Sequence, residues 1–165
     1  MMRGSMPLSV GTCLAAACVL LGCGEASGQA VASCPVTVPS RQQLVKGSSL
    51  LGSAAAGTAL FFSSVTRDTP EAIRAHGNGQ SEIESDSEDV GGKRRARTWF
   101  DTADGPHTLV CQYGKALYPQ RDTAMLLVPL PPRMSGECVV TSNLRPAKGA
   151  NGRGMTATCS RARAN

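Results

Sequence analysis

The chain has 165 residues, a formal net charge of +5 and an aromatic content of only 4%. This length predicts one domain, and the 18 glycines and 10 prolines predict many turns and few long helices. Most basic residues are spread along the chain without interleaved aromatic residues, which argues against a nucleic-acid-binding protein. The composition therefore indicates a small globular domain with a modest core.

Residues 1–22 have the pattern of a secretory signal peptide. Arg3 supplies the positive charge near the start, and residues 8–22 form an apolar run of small and aliphatic side chains. A run of about 15 residues suits a signal peptide and is short for a transmembrane helix of about 20 residues. No comparable run follows, so the sequence predicts an exported protein with no transmembrane span in its mature part.

Two cleavage sites fit the end of this leader. Residues 20–23, Leu-Leu-Gly-Cys, resemble the bacterial lipobox, in which Cys23 is lipidated and residues 23–33 form a flexible tether. Residues 30–32, Ala-Val-Ala, form an alternative site with cleavage after residue 32. We favour the lipobox because the apolar run ends at Cys23. The expected location is the periplasm, with an outer-membrane lipid anchor if Cys23 is modified.

Four cysteines lie in the mature region, at Cys34, Cys111, Cys138 and Cys159. An even number in an oxidising compartment predicts two disulfides, and the lack of a C-x-x-C pair argues against a metal or redox site. Three pairings are possible. We favour Cys34–Cys111 with Cys138–Cys159, because a hairpin around the turn-rich residues 149–154 would place Cys138 and Cys159 opposite each other.

The mature sequence predicts a mainly β fold, a single small antiparallel sheet or sandwich-like domain at residues 34–161 with a tail at 162–165. Long loops and at most one short helix are expected, the helix starting after Thr69 with Pro70 in its first turn. Alternating or continuous apolar residues predict strands at residues 34–39, 58–65, 97–102, 108–113, 123–130, 138–141 and 155–160.

The sequences of two connections between these strands predict which kind of loop each one forms. Residues 104–105, Asp-Gly, predict the loop of a hairpin that joins the Trp99 strand to the Cys111 strand. Residues 77–92 predict a long flexible loop, since five acids fall within residues 82–89 and a basic run follows. These acids do not follow the spacing of an EF-hand, so we expect no metal site and no other cofactor.

Six short motifs follow one another along the mature region, and four of them contain a cysteine. They are CPV at 34–36, RTW at 97–99, LVCQY at 109–113, LP at 130–131, CVV at 138–140 and CSR at 159–161. This pattern resembles a family of small uncharacterised secreted proteins of Gram-negative bacteria with four cysteines and a W…LxCxY core. The resemblance covers about residues 34–161. It implies compartment and fold, and it implies no biochemical activity.

The sequence contains no catalytic motif that matches a known arrangement. Its histidines are His76 and His107, and a Cys111–His107 pair would need a free thiol at Cys111. We therefore predict a non-enzymatic module that binds another envelope protein, such as an inhibitor or an immunity factor. The alternatives are a structural envelope component and, less favoured, an envelope enzyme that uses His107 or Asp104.

Overall fold

The computed structural model describes residues 29–76, 82–145 and 154–162. These residues form nine strands, one α-helix and a 3-10 turn at Arg41–Gln43. The helix is α1 (Pro70–His76) and the strands are β1 (Ala30–Cys34), β2 (Ser49–Gly52), β3 (Leu60–Thr66), β4 (Asp86–Val90), β5 (Lys93–Asp101), β6 (Thr108–Tyr113), β7 (Ala124–Pro129), β8 (Ser135–Asn143) and β9 (Thr156–Arg161).

The strands build two antiparallel sheets that pack face to face. The five-stranded sheet has the order β1-β9-β8-β5-β4, and the four-stranded sheet has the order β2-β7-β6-β3. Strand β6 shows how the sequence makes this arrangement, because its alternate residues Leu109, Cys111 and Tyr113 join the core between the sheets. The predicted mainly β, sandwich-like fold with one helix is therefore confirmed.

Helix α1 covers the other face of the four-stranded sheet. Ile73 of the helix packs with Val110 of β6 and with Met125 and Leu127 of β7, and all four side chains are buried. Strand β7 is thus buried on both faces, which explains why its sequence is a continuous apolar run without alternation. The helix begins where it was predicted, since the Thr69 hydroxyl accepts a hydrogen bond of 3.1 Å from the Ala72 N–H.

Two disulfides hold the sandwich together, with the pairing that the sequence favoured. Cys34–Cys111 joins β1 to β6 and so links the two sheets across the core. Cys138–Cys159 joins neighbouring strands of the five-stranded sheet, where the two residues lie directly opposite each other. The turn predicted at residues 149–154 lies, apart from Gly154, outside the described residues.

The first strand begins earlier than the sequence indicated. Residues 30–33 were expected to be the end of a flexible tether, but Ala30 pairs with Ser160 and Ser33 pairs with Thr158. The strand is held by main-chain pairing to β9, and its small side chains give little of the alternation that marks a strand. Residues 30–33 are therefore part of the five-stranded sheet and not of a tether.

The second half of the predicted acidic loop is a strand. Residues 86–90 form β4, which turns at Gly91 and Gly92 with positive φ angles of 58° and 76° and pairs with β5. Acids and bases face each other across this hairpin, as in the pairs Asp86 with Arg97, Glu88 with Arg95 and Asp89 with Arg94. Cross-strand charge pairing thus orders residues whose composition indicates a flexible loop. Residues 77–81 lie outside the described residues.

The predicted hairpin between the Trp99 and Cys111 strands is wrong. Strand β5 belongs to the five-stranded sheet and β6 to the four-stranded sheet, so residues 102–107 cross from one sheet to the other. The crossing is fixed by Thr102, whose hydroxyl donates to the Pro131 carbonyl at 2.8 Å and accepts from the Met134 N–H at 2.8 Å. These contacts direct the chain away from the edge that a hairpin would use.

Candidate functional site

The two less favoured catalytic candidates of the crossing loop, His107 and Asp104, have different surroundings. His107 is buried, its Nδ1 lies 3.0 Å from the Gly105 carbonyl oxygen and its ring packs beside Phe100. Its carbonyl accepts a hydrogen bond from the Leu130 N–H at 2.9 Å. The side chain of Asp104 is exposed. The geometry therefore gives His107 a role in holding the loop against the core.

The cysteines of the described residues are all in disulfides. Cys111 is bonded to Cys34 and is fully buried, so it offers no thiol to His107. Buried disulfides of this kind are typical of proteins that fold in an oxidising compartment outside the cytosol. Cys23, the predicted lipidation site, lies outside the described residues.

Residues 29–76, 82–145 and 154–162 contain neither a candidate metal cluster nor a candidate membrane-spanning helix. Within these ranges no three His, Cys, Asp or Glu side chains come together in a way that could hold a metal ion. The same ranges contain no helix of the length and apolar character needed to cross a membrane.

Tyr113 is a titratable residue whose pKa is shifted by burial. It is fully buried at the end of β6, and its hydroxyl donates to the Pro35 carbonyl at 3.1 Å. Desolvation by burial raises the pKa of Tyr113 well above its usual value. The phenol is thus neutral and fixes the segment after β1 to the four-stranded sheet.

The outer face of the five-stranded sheet is open and carries a large aromatic side chain. Trp99 of β5 is 60% exposed on this face, whereas its neighbour Phe100 points inward and is 4% exposed. Arg97 lies two residues away on the same face of β5, and Glu137 of β8 is paired directly with Trp99. We call Trp99, Arg97, Glu137 and Val139 the outer patch.

Charged groups of the outer patch are incompletely satisfied. The Arg97 Nη2 lies 3.5 Å from Glu88 Oε1 on β4, but Arg97 Nε has no hydrogen-bond partner among the described residues. Glu137 Oε2 is also shielded from solvent without such a partner. Because Arg97 Nε and Glu137 Oε2 are shielded, the atoms of these half-buried residues that can meet another molecule are the other polar atoms of the two side chains.

A cleft of about 1230 Å³ opens between the two sheets beside β3. Its walls are the edge of β3 and the inward faces of β5 and β8, on the side of the five-stranded sheet opposite to the outer patch. Apolar and hydroxyl side chains both line it, among them Ser63, Ile83, Thr98, Val140 and Met155. We call this space the inter-sheet cleft.

Sequence reasoning did not find either surface, although a signal for the outer patch was present. Trp99 belongs to the W…LxCxY pattern, and the structure places its side chain on the surface. The residues two positions away, Arg97 and Asp101, are charged and therefore indicate that this set of alternate residues faces solvent. The inter-sheet cleft depends on the spacing of the sheets and has no signal in the sequence.

Comparisons with protein-family models, with curated proteins and with solved structures found no match to this chain. The resemblance to secreted four-cysteine proteins of Gram-negative bacteria therefore stays a prediction. In its described residues the structure defines a β-sandwich with two disulfides, an exposed Trp99 on the outer face of one sheet, and the inter-sheet cleft.

Proposed function

We propose that the protein is an exported, non-enzymatic module of the bacterial cell envelope that binds another envelope protein through the outer patch. Inhibitors and immunity factors are proteins of this kind. The proposal is carried by Trp99, which is 60% exposed on a sheet face that no described segment covers. Trp and Arg dominate the binding energy of protein interfaces, and here they are neighbours on a rigid sheet.

The outer patch also suggests the chemistry of the partner. Arg97 provides a positive charge two residues from Trp99 on β5, and Glu137 provides a negative charge directly across from Trp99 on β8. A complementary surface has an apolar pocket for the ring, flanked by a carboxylate or carbonyl and by a basic or amide group. Since charges of both signs are present, we expect selectivity for one partner more than attraction to any acidic or basic surface.

Replacing Trp99 with alanine is expected to abolish partner binding and to leave the fold intact, because the side chain is on the surface. Full-length protein isolated from the envelope, with the variants Trp99→Ala and Leu117→Ala, is compared by pull-down with quantitative mass spectrometry. Leu117 is 51% exposed on a loop away from the outer patch and serves as the matched control. We expect a stoichiometric partner with the wild type and Leu117→Ala, and at least a tenfold loss with Trp99→Ala.

Two results would contradict this proposal. One is the absence of any stoichiometric partner under several extraction conditions. The other is equal recovery of the partner with Trp99→Ala and with the wild type, which would exclude the outer patch. A separate variant, Glu137→Gln, keeps the shape of the side chain and removes its charge. It tests how much the charge of the outer patch contributes to partner binding.

We also propose periplasmic location with a lipid anchor at Cys23. The position of β1 supports this site over cleavage after residue 32, since that cleavage would remove three residues of the strand, Ala30 to Ala32. Cleavage before Cys23 leaves the pairing with β9 complete. Intact mass measurement is expected to show a lipidated N-terminal Cys23, and Cys23→Ser is expected to release the protein from membranes. A mature chain that begins at Ser33 would contradict the anchor.

A further inference from the structure

The free edge of β3 is covered at both ends and borders the inter-sheet cleft in the middle, where Ser63 and Ser64 are 8% and 9% exposed. At one end the Leu60 N–H donates to the Val36 carbonyl at 2.9 Å, and at the other end the Ile83 N–H donates to the Val65 carbonyl at 2.9 Å. Between them, no described segment pairs with residues 61–64 on this side. We call residues 61–64 the edge window, and it opens into the inter-sheet cleft.

The directions of the main-chain groups in the edge window follow from its two covered ends. The Leu60 N–H and the Val65 C=O both point away from β6. In a regular strand this holds only for residues an even number of positions apart, and these two are five apart. The irregularity at Phe61 in the pairing of β3 with β6 supplies the extra residue that makes this compatible with strand alternation. Counting back from Val65, the N–H and C=O of Ser63 also point outward, away from β6.

The side chain of Ser63 shows which face of an added strand would enter the cleft. Ser63 Oγ lies 3.4 Å from Cys34 Sγ, so this side chain faces the space between the sheets. A residue that exchanged main-chain hydrogen bonds with Ser63 would point its own side chain the same way. That side chain would enter the cleft, where Val140 and Met155 provide apolar surface.

Charges at the two ends of the edge window differ in sign. Glu82 lies at the Thr66 end, where it bridges to Thr66. The loop after β6 lies at the other end, where the Gly114 N–H donates to the Ala59 carbonyl at 3.2 Å. This loop brings Lys115, Arg121 and Asp122 to the cleft, two bases against one acid.

We propose that the edge window binds an extended peptide of a partner protein as an added antiparallel strand. Both segments that already cover this edge pair with it in antiparallel fashion. The peptide would place a basic residue near Glu82, an apolar residue opposite Ser63 and an acidic residue near Lys115 and Arg121. Main-chain hydrogen bonds give affinity in this mode of recognition, and the side-chain pocket gives specificity. This site is separate from the outer patch and adds a second contact to the proposed function.

A pair of synthetic peptides tests the edge window on the unaltered protein. The probe is acetyl-Lys-Thr-Val-Thr-Glu-amide, of which only the central Thr-Val-Thr pairs with β3, because Val65 already binds Ile83 and Leu60 already binds Val36. The matched control carries an N-methyl group on the valine, which removes its main-chain donor. We expect the probe to bind with a dissociation constant below about 1 mM, a modest affinity for so short a peptide. Amide shifts in an NMR titration should centre on Ser63, and N-methylation should weaken binding at least tenfold.

Further variants separate this proposal from the function assigned to the outer patch. Ala96→Trp projects a large side chain into the cleft from β5 and is expected to abolish peptide binding while partner capture through Trp99 continues. Trp99→Ala is expected to bind the peptide like the wild type. Equal affinity for the two peptides, no binding at 1 mM, or shifts centred away from β3 would each overturn the edge window and leave the outer patch unaffected.

Discussion

Removal of the Cys34–Cys111 disulfide is expected to lower the free energy of unfolding by about 4.5 kcal/mol, more than removal of the second bridge. The bridge spans 77 residues, and chain-entropy arguments make longer closed loops more stabilising. The Cys138–Cys159 bridge spans 21 residues, so its removal is expected to cost about 3.3 kcal/mol. Since small domains have a margin of about 5–15 kcal/mol, loss of the first bridge leaves little stability.

Urea denaturation of two alanine double variants measures this difference. Cys34→Ala/Cys111→Ala is compared with Cys138→Ala/Cys159→Ala, so that each variant lacks one bridge and no free thiol remains from it. Equal losses of unfolding free energy, or a larger loss for Cys138→Ala/Cys159→Ala, would contradict this expectation. Either result would show that the disulfide between the sheets is not the more stabilising of the two. Alkylation of native protein without reductant should modify none of these four cysteines, because all are buried and bonded.

Truncation of either leucine in the middle of β7 is expected to cost about 2–5 kcal/mol. Leu126 is buried in the core between the sheets, and Leu127 is buried beneath α1. Their exposed fractions are 3% and 0%, so each substitution to alanine removes apolar contacts and leaves a cavity. Similar losses for adjacent residues would show that both faces of this strand are packed, as a three-layer arrangement requires.

The same denaturation measurements on Leu126→Ala and Leu127→Ala, with Leu117→Ala as control, check this expectation. Leu117 is 51% exposed, and its replacement should change the free energy of unfolding by no more than about 0.5 kcal/mol. A loss below about 1 kcal/mol for Leu127→Ala alone would mean that α1 does not form a packed third layer.

The sequence was most informative where side-chain burial alone decides the structure. Strand β9 alternates buried residues with more exposed polar ones, strand β6 alternates Leu109, Cys111 and Tyr113 on its core face, and the continuous apolar run of β7 marks a strand with two covered faces. The geometry of a hairpin was enough to choose the cysteine pairing, because Cys138 and Cys159 belong to directly paired strands.

Sequence reasoning failed where main-chain pairing or distant neighbours decide the structure. Strand β4 is exposed along its whole length, and strand β1 has small side chains, so neither carries an apolar signal. The assignment of β5 and β6 to different sheets depends on the contacts of Thr102 with residues about thirty positions away. The same limit applies to the inter-sheet cleft, whose walls come from segments that are far apart in the chain.

The inter-sheet disulfide also determines how the molecule would respond to a mechanical load. If Cys23 is held in a membrane, a pull on the domain enters through β1, which lies at the edge of its sheet. The covalent link from Cys34 passes that force into β6, an inner strand of the other sheet. The strands that follow in the chain are thereby protected from being pulled off one by one. The two sheets would therefore stay packed together when the N-terminal end is under tension.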